Sequence, residues 1–279
     1  MVRIDLHTHS TVSDGTQSPA DVMRDAADAR LDVVALTDHD SVGGLEEAAE
    51  AASSLGLDFV PGIEVSCRHA EVSIHLLAYW PDPADAEVSA MLARTRQARV
   101  GRAQEIVRRI AVHYPLTWDA VVDMAGSSQT VGRPHIADAM VAAGLFANRD
   151  EVFREVLAGK SAFYVPHYAP DVREAITTVR RAGGVSVFAH PGADARGRVV
   201  PTEVIELMTQ AGLVGLEVDH RDHSAAQRDR LAKVARRLGL VVTGASDYHG
   251  DGKENRLGEN LTSAENLARL RAARAIVTT

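Results

Sequence analysis

Two histidines one residue apart, His7 and His9, close an apolar run from Val2 to Leu6, and Asp14-Gly15 follows within a short turn. Side chains alternate across a strand, so His7 and His9 face one side while Thr8 faces the other. Imidazoles about 6 to 7 Å apart on one face, with a carboxylate close behind, are spaced to hold a divalent metal. The signature recurs down the chain. His39 follows the apolar stretch Leu31–Thr37, Glu64 and His75 lie in two further apolar runs, His190 follows Val185–Ala189, and Asp247 and His249 follow Leu240–Ala245. Taken singly, each is an ordinary polar residue. Together, His7, His9, Asp14, His39, Glu64, His75, His190, Asp247 and His249 are an ordered set of nitrogen and oxygen donors suited to Zn²⁺, Mn²⁺ or Fe²⁺.

Positioning them falls to alternating strands and helices. Ser18-Pro19 supplies an N-cap and a first helical residue, predicting a helix to about Arg30, and a second runs over about Leu45–Leu55 to Gly56. The strands Asp58–Ser66 and Val72–Tyr79 are separated by Cys67–Glu71, too short for a helical crossover, which predicts a hairpin bringing Glu64 near His75. After Pro81-Asp82-Pro83 the periodicity is helical to Gly159, with helices over about Val88–Val112, Trp118–Met124, His135–Ala143 and Asp150–Leu157. Alternation then resumes. Helices near Val172–Ala182, Thr202–Gln210, Ala225–Leu238 and Ala264–Ala273 flank strands Val185–Ala189, Val214–Val218 and Leu240–Ala245, and Ile276-Val277-Thr278-Thr279 reads as a closing strand. The expected fold class is α/β: a barrel built from residues 1–83 and 165–279, interrupted by an all-helical insertion over 84–164. In such barrels the strand C-termini converge on one rim, where active sites lie.

Composition narrows the class. Apolar residues at 46% and charged residues at 24% are the balance of an ordinary globular protein, and 279 residues suffice for a large barrel. Aromatics at 4% argue against a base-stacking platform, and a net charge of −8 argues against a broad basic face for long nucleic acid. A small anionic substrate stays possible, because bound cations invert the local sign. The single cysteine, Cys67, fits a reducing compartment, and without a leader or a long apolar run the expected location is cytoplasmic, with no membrane contact. Oligomeric state is left open.

In order, Asp5-Leu6-His7-Thr8-His9-Ser10, Thr37-Asp38-His39, Gly62-Ile63-Glu64, His75, Ala189-His190-Pro191 and Ser246-Asp247-Tyr248-His249 resemble the PHP (polymerase and histidinol phosphatase) domain of the amidohydrolase superfamily. The resemblance implies a distorted (β/α)7 TIM-like barrel and a trinuclear metal centre. His7, His9, Glu64 and Asp247 would hold one ion, Glu64, His75 and His190 a second, and Asp14, His39 and His249 a third. Manganese is the leading expectation, with iron or zinc as alternatives. Glu64 would bridge two ions, and water between them would become the hydroxide that attacks a phosphate ester. Asp247, Glu64 and His223 are the catalytic candidates, with His223 proposed to protonate the leaving oxygen.

A second layer concerns the ester. Gly132-Arg133-Pro134-His135 opens a helix, where anions are favoured, and Lys160 and Arg198 sit in glycine-flanked loops. Stand-alone PHP proteins with such an insertion are similar to the group that removes the 3′-phosphate of nucleoside 3′,5′-bisphosphates, some of which trim short oligonucleotides from the 5′ end. That resemblance implies substrate contacts from Arg133, His135, Lys160, Arg198 and His223. Rival readings are a histidinol-phosphate phosphatase, an amidohydrolase acting on C–N bonds and a non-catalytic metal-binding module. Asp14, where the first rival carries a histidine, and the cations Arg133 and Lys160 weigh against the first two.

Overall fold

A computed structural model describes residues 2–126, 128–166 and 168–277. Seven strands lie in sequential order: β1 (Ile4–Asp5), β2 (Val33–Leu36), β3 (Asp58–His69), β4 (Val72–Tyr79), β5 (Val185–Phe188), β6 (Gly215–Asp219) and β7 (Val241–Gly244). Neighbours are parallel except β4, which runs antiparallel to both β3 and β5. Beyond β1 and β7 the chain closes the ring: Thr8 bridges to Tyr248, and the His9 amide donates to the Tyr248 carbonyl at 2.8 Å. The result is a nearly closed, distorted (β/α)7 barrel.

The strands alternate as a buried sheet must. Ile4, Leu6, Val33, Ala35, Leu77, Tyr79, Val185 and Val187 pack together in one cluster. The opposite parity meets the helices: Val34 and Leu36 pack with α1 (Pro19–Asp28) and α2 (Leu45–Leu55). Phe188, Leu216 and Val218 pack with α7 (Val172–Arg181), α8 (Thr202–Ala211) and α9 (Ala225–Leu238), the numbering leaving α3 to α6 for the helices between β4 and α7. Local signals fix the ends. Ser18 Oγ accepts from the Asp21 amide at 3.1 Å with Pro19 following, and Gly56 stops α2 at φ 73°.

The hairpin forms as its spacing demands, but tighter. β3 extends to His69, leaving only Ala70 and Glu71 in the turn, with Ala70 at φ 49°. Between β4 and α7 lie α3 (Ala86–Ile110), α4 (Trp118–Ala125), α5 (Arg133–Ala142) and α6 (Arg149–Glu155). The later turns of α3 join α4 to α6 in a separate apolar cluster that includes Ile106, Ile110, Val121, Ile136, Met140 and Val152. Its first turns belong instead to the barrel, through Val88 and Leu92.

The expected closing strand is not one. Ile276 and Val277 continue α10 (Ala264–Val277), and Thr278 and Thr279 lie outside the described residues. The Ala- and Arg-rich stretch keeps a helical period that places Leu267 and Leu270 in the barrel's apolar cluster, and a two-residue β-branched pair is too short to end a helix already propagating.

Candidate metal centre

All nine residues of the ordered set arrive at one end of the barrel. Glu64 is the hub. Its Oε2 lies 3.1 Å from both His7 Nε2 and His9 Nε2 and 3.2 Å from His39 Nδ1. Its Oε1 lies 2.9 Å from His75 Nδ1 and 3.1 Å from His190 Nε2. Asp247 Oδ1 stands 3.5 Å from each of His7 Nε2, His9 Nε2 and His249 Nδ1. Asp14 faces His249 Nε2 at 3.3 Å and His39 Nε2 at 3.8 Å. Three sets of donor atoms each gather within 4.8 Å: His7, His9, Glu64 and Asp247; His9, Asp14, His39 and His249; and His39, Glu64 and His75. His75 reaches the rim although its strand runs the other way, because the long β3–β4 ladder pairs Ser66 with His75 beside Glu64.

Two of these residues hold a left-handed backbone that side chains other than glycine rarely adopt: His190 at φ 32° and Asp247 at φ 54°. Each lies within three residues of a strand's end, His190 after β5 and Asp247 after β7.

The rings are set for metal. His7 Nδ1 is held by Glu217 Oε1 at 3.0 Å and His249 Nδ1 by the Asp247 carbonyl at 2.8 Å. A ring that donates from Nδ1 turns a bare Nε2 inward, the orientation a metal ligand needs. Glu217, fully buried, also accepts the His190 amide through Oε2 at 2.7 Å, so one carboxylate orients two rim residues. Buried His39 Nδ1, His75 Nδ1 and His249 Nε2 have no hydrogen-bond partner among the described residues. Buried ring nitrogens left bare around ionised carboxylates fit divalent ions.

Electrostatics agree. Burial alone would raise the carboxyls of Asp14, Glu64 and Asp247, yet neighbouring histidines, and for Asp247 Lys253 and Arg196, hold all three well below the ordinary range. Burial pushes His249 down to about 4 and His190 to about 3, so both are neutral near pH 7, as a ligand must be. Against burial, the carboxylates around His9 raise it to about 9, and those around His7 raise that ring well above its usual value. Without cations, His7 and His9 hold protons in their place.

The expected substrate contacts divide. Arg133 is half-buried at the start of α5, where Nη1 donates to the Leu157 carbonyl at 3.2 Å and the guanidinium lies 5.6 Å from the Phe153 ring. Two cations of the long helix α3, Arg99 and Arg102, stand beside it. Arg99 donates to Asp40 Oδ2 at 3.2 Å and Ser66 Oγ at 2.7 Å, and Arg102 Nε donates to the Val165 carbonyl at 2.7 Å. Burial and the neighbouring Arg133 bring Arg102 down to about 9. His135 sits within the site wall but has no free ring nitrogen: Nδ1 accepts from the Gly132 amide at 3.1 Å and Nε2 bonds the Ser13 carbonyl at 3.1 Å. His223 is likewise occupied, between the Val218 carbonyl at 2.8 Å and the Gly192 amide at 3.0 Å, so its ring has no proton to give a leaving oxygen. Arg198 is tied to the Glu71 carbonyl on the hairpin turn, and Lys160 is exposed. His167 lies outside the described residues.

The model of one family, the PHP domain, matches residues 5–162. The chain belongs to the PHP domain family. A 3′,5′-nucleoside bisphosphate phosphatase of Chromobacterium violaceum is 34% identical over 92% of this chain and 90% of its own length. A 5′-3′ exoribonuclease of Haemophilus influenzae is 31% identical over 95% and 96%. A solved structure from Bifidobacterium adolescentis, described as a metal-dependent phosphoesterase, is 41% identical, covers 97% of this chain and 96% of its own, and superposes with a TM-score of 0.94. This PHP protein is a metal-dependent phosphoesterase. No helix among its described residues is long and apolar enough to cross a membrane.

Proposed function

We propose that this PHP protein removes the 3′-phosphate of nucleoside 3′,5′-bisphosphates and also accepts short 5′-phosphorylated oligonucleotides. The observation that supports this reading is a second anion seat beside the first. Of Arg99, Arg102 and Arg133, Arg99 alone pairs with a carboxylate, Asp40, among the described residues, so about two positive charges remain uncompensated, matching the two negative charges of a terminal phosphate monoester. Arg99 bonds Asp40 and Ser66, next in sequence to His39 and two residues from Glu64, so a ligand with two phosphates spans both places. Names of the relatives from Chromobacterium violaceum and Haemophilus influenzae agree with such ligands.

In this reading His7, His9, Asp14, His39, Glu64, His75, His190, Asp247 and His249 would hold three divalent ions, manganese first among the candidates. Bound ions supply Lewis-acid activation of water and of a phosphate oxygen. Glu64 presents one oxygen to His7, His9 and His39 and the other to His75 and His190, the arrangement of a bridging ligand. Asp247 is the base, taking a proton from the attacking water. Residues 84–164 act as the cap: His135 pins α5 to Ser13, and Thr130 Oγ1 donates to the His39 carbonyl at 2.7 Å.

The test compares kcat/KM of Mn²⁺-loaded protein for adenosine 3′,5′-bisphosphate, a 5′-phosphorylated trinucleotide and histidinol phosphate. The bisphosphate or the trinucleotide is expected to lead. A preference for histidinol phosphate overturns the assignment. Arg102→Met is expected to erase most of the discrimination between adenosine 3′,5′-bisphosphate and adenosine 3′-monophosphate, and an unchanged ratio removes the arginine seat from the reading.

A further inference from the structure

Asp247 divides its two oxygens between different neighbours. Oδ1 faces His7, His9 and His249. Oδ2 receives Arg196 Nη2 at 2.8 Å and Lys253 Nζ at 3.0 Å, with His220 Nε2 at 3.6 Å. Neither cation belongs to the nine-residue set. Arg196 comes from the short 3-10 turn Asp194–Arg196 after β5, and Lys253 from the loop after β7.

Three donors around one carboxylate oxygen exceed what it can accept well. The excess is visible. The Asp222 amide donates to His220 Nδ1 at 3.0 Å, which puts the ring proton on Nε2, and that fully buried N–H has no hydrogen-bond partner among the described residues. Arg196 anchors Nε on Asp222 Oδ2 at 2.5 Å, but its Nη1 hydrogens bond nothing among the described residues. Among the described residues Lys253 makes one hydrogen bond of the three available to an ammonium. Asp247 itself is 1% exposed, whereas the side chains of Arg196 and Lys253 are 33% and 31% exposed, so both cations reach from the buried carboxylate to solvent.

We propose that Arg196 and Lys253 form a clamp for the phosphoryl group under attack, receiving its non-bridging oxygens beside Asp247 Oδ2. The proposal rests on the phosphoesterase reading but not on the nucleoside. Arg196 is preorganised by Asp222, so its free edge meets a phosphate without rearrangement. Lys253 adds a point charge from a different loop, and the two approach one anion from both sides. In this arrangement both touch substrate, and His220 stays beneath as a positioning residue that keeps Asp247 Oδ2 turned toward them.

The test is titration of Mn²⁺-loaded protein with inorganic phosphate by calorimetry, with metal content measured by elemental analysis. Arg196→Met and Lys253→Met are each expected to weaken phosphate binding at least about tenfold with metal content retained. Arg196→Lys and Lys253→Arg are expected to recover most of it, because a cation is kept. Unchanged phosphate affinity in the Met variants overturns the clamp. So does weakening that disappears once metal is restored to saturation, since the cations would then serve only to neutralise Asp247. Inorganic phosphate carries no nucleoside, so a clamp that fails here and a bisphosphate that fails as substrate are separate results.

Discussion

At the scale of single residues, the site depends on side chains that never meet a substrate. Glu217 holds His7 by Nδ1 and the backbone at His190, and His7 in turn drives the Glu217 carboxyl, despite burial, down to about 2. Glu217→Gln keeps the shape but removes the charge that favours a His7 with its proton on Nδ1. It is expected to cost about 10- to 100-fold in metal affinity or turnover, measured by competition with a chelator. Sequence reasoning found seven of the nine donors because each ends or follows an apolar run, and reached Glu64 and His75, inside their runs, through the hairpin that brings the two together. It passed over Glu217, which sits inside the run Gly215–Asp219, where one glutamate carries no positional signal. Arg99 and Arg102 were hidden for another reason. On a long helix with several arginines nothing in the spacing separates the face that meets Asp40 from the one in water.

The protonation of His9 sets a further residue-scale expectation. Burial opposes the charge but the carboxylates of Asp247 and Glu64 prevail, so the ring keeps its proton up to about pH 9. An ion must displace that proton, hence apparent metal affinity should rise with pH, by up to about tenfold per unit for each proton released, with the His9 contribution levelling off near pH 9. Affinity that is flat between pH 7 and 9 would show that His9 is already neutral.

At the scale of elements, most boundaries were legible because caps and stops are local chemistry. Ser18-Pro19 and Gly56 each act where they stand. What was illegible depends on tertiary context: the strand count at the C-terminus, where α10 persists, and the length of β3, whose last residues pair only because β4 lies alongside. The end of α1 also retains a local conflict. Arg30, exposed, takes φ 57° just past the helix, a position where glycine is the natural occupant. Arg30→Gly is expected to stabilise the fold by about 0.5–1 kcal/mol, seen as a Tm higher by about 1–3 °C. A lower Tm would mean that Arg30 makes an interaction worth more than its backbone strain.

At the scale of the whole molecule, the ring of strands has a weak place. β1 is two residues long and does not ladder with β7; the two edges meet through Thr8, His9 and Tyr248 and through the Thr262 amide on the Ile4 carbonyl at 3.0 Å. His7 and His9 leave one edge, Asp247 and His249 the other. Cations held between them would act as rivets along a seam that the backbone only tacks together. Chelation should therefore loosen the cylinder there first: amide hydrogen exchange at His9 and Tyr248 is expected to quicken well before that of β5 or β6, and uniform exchange would show a seam that needs no fastening. On this view the ions are part of the vessel as much as its contents, and a cell short of metal would hold a barrel sprung open along one stave.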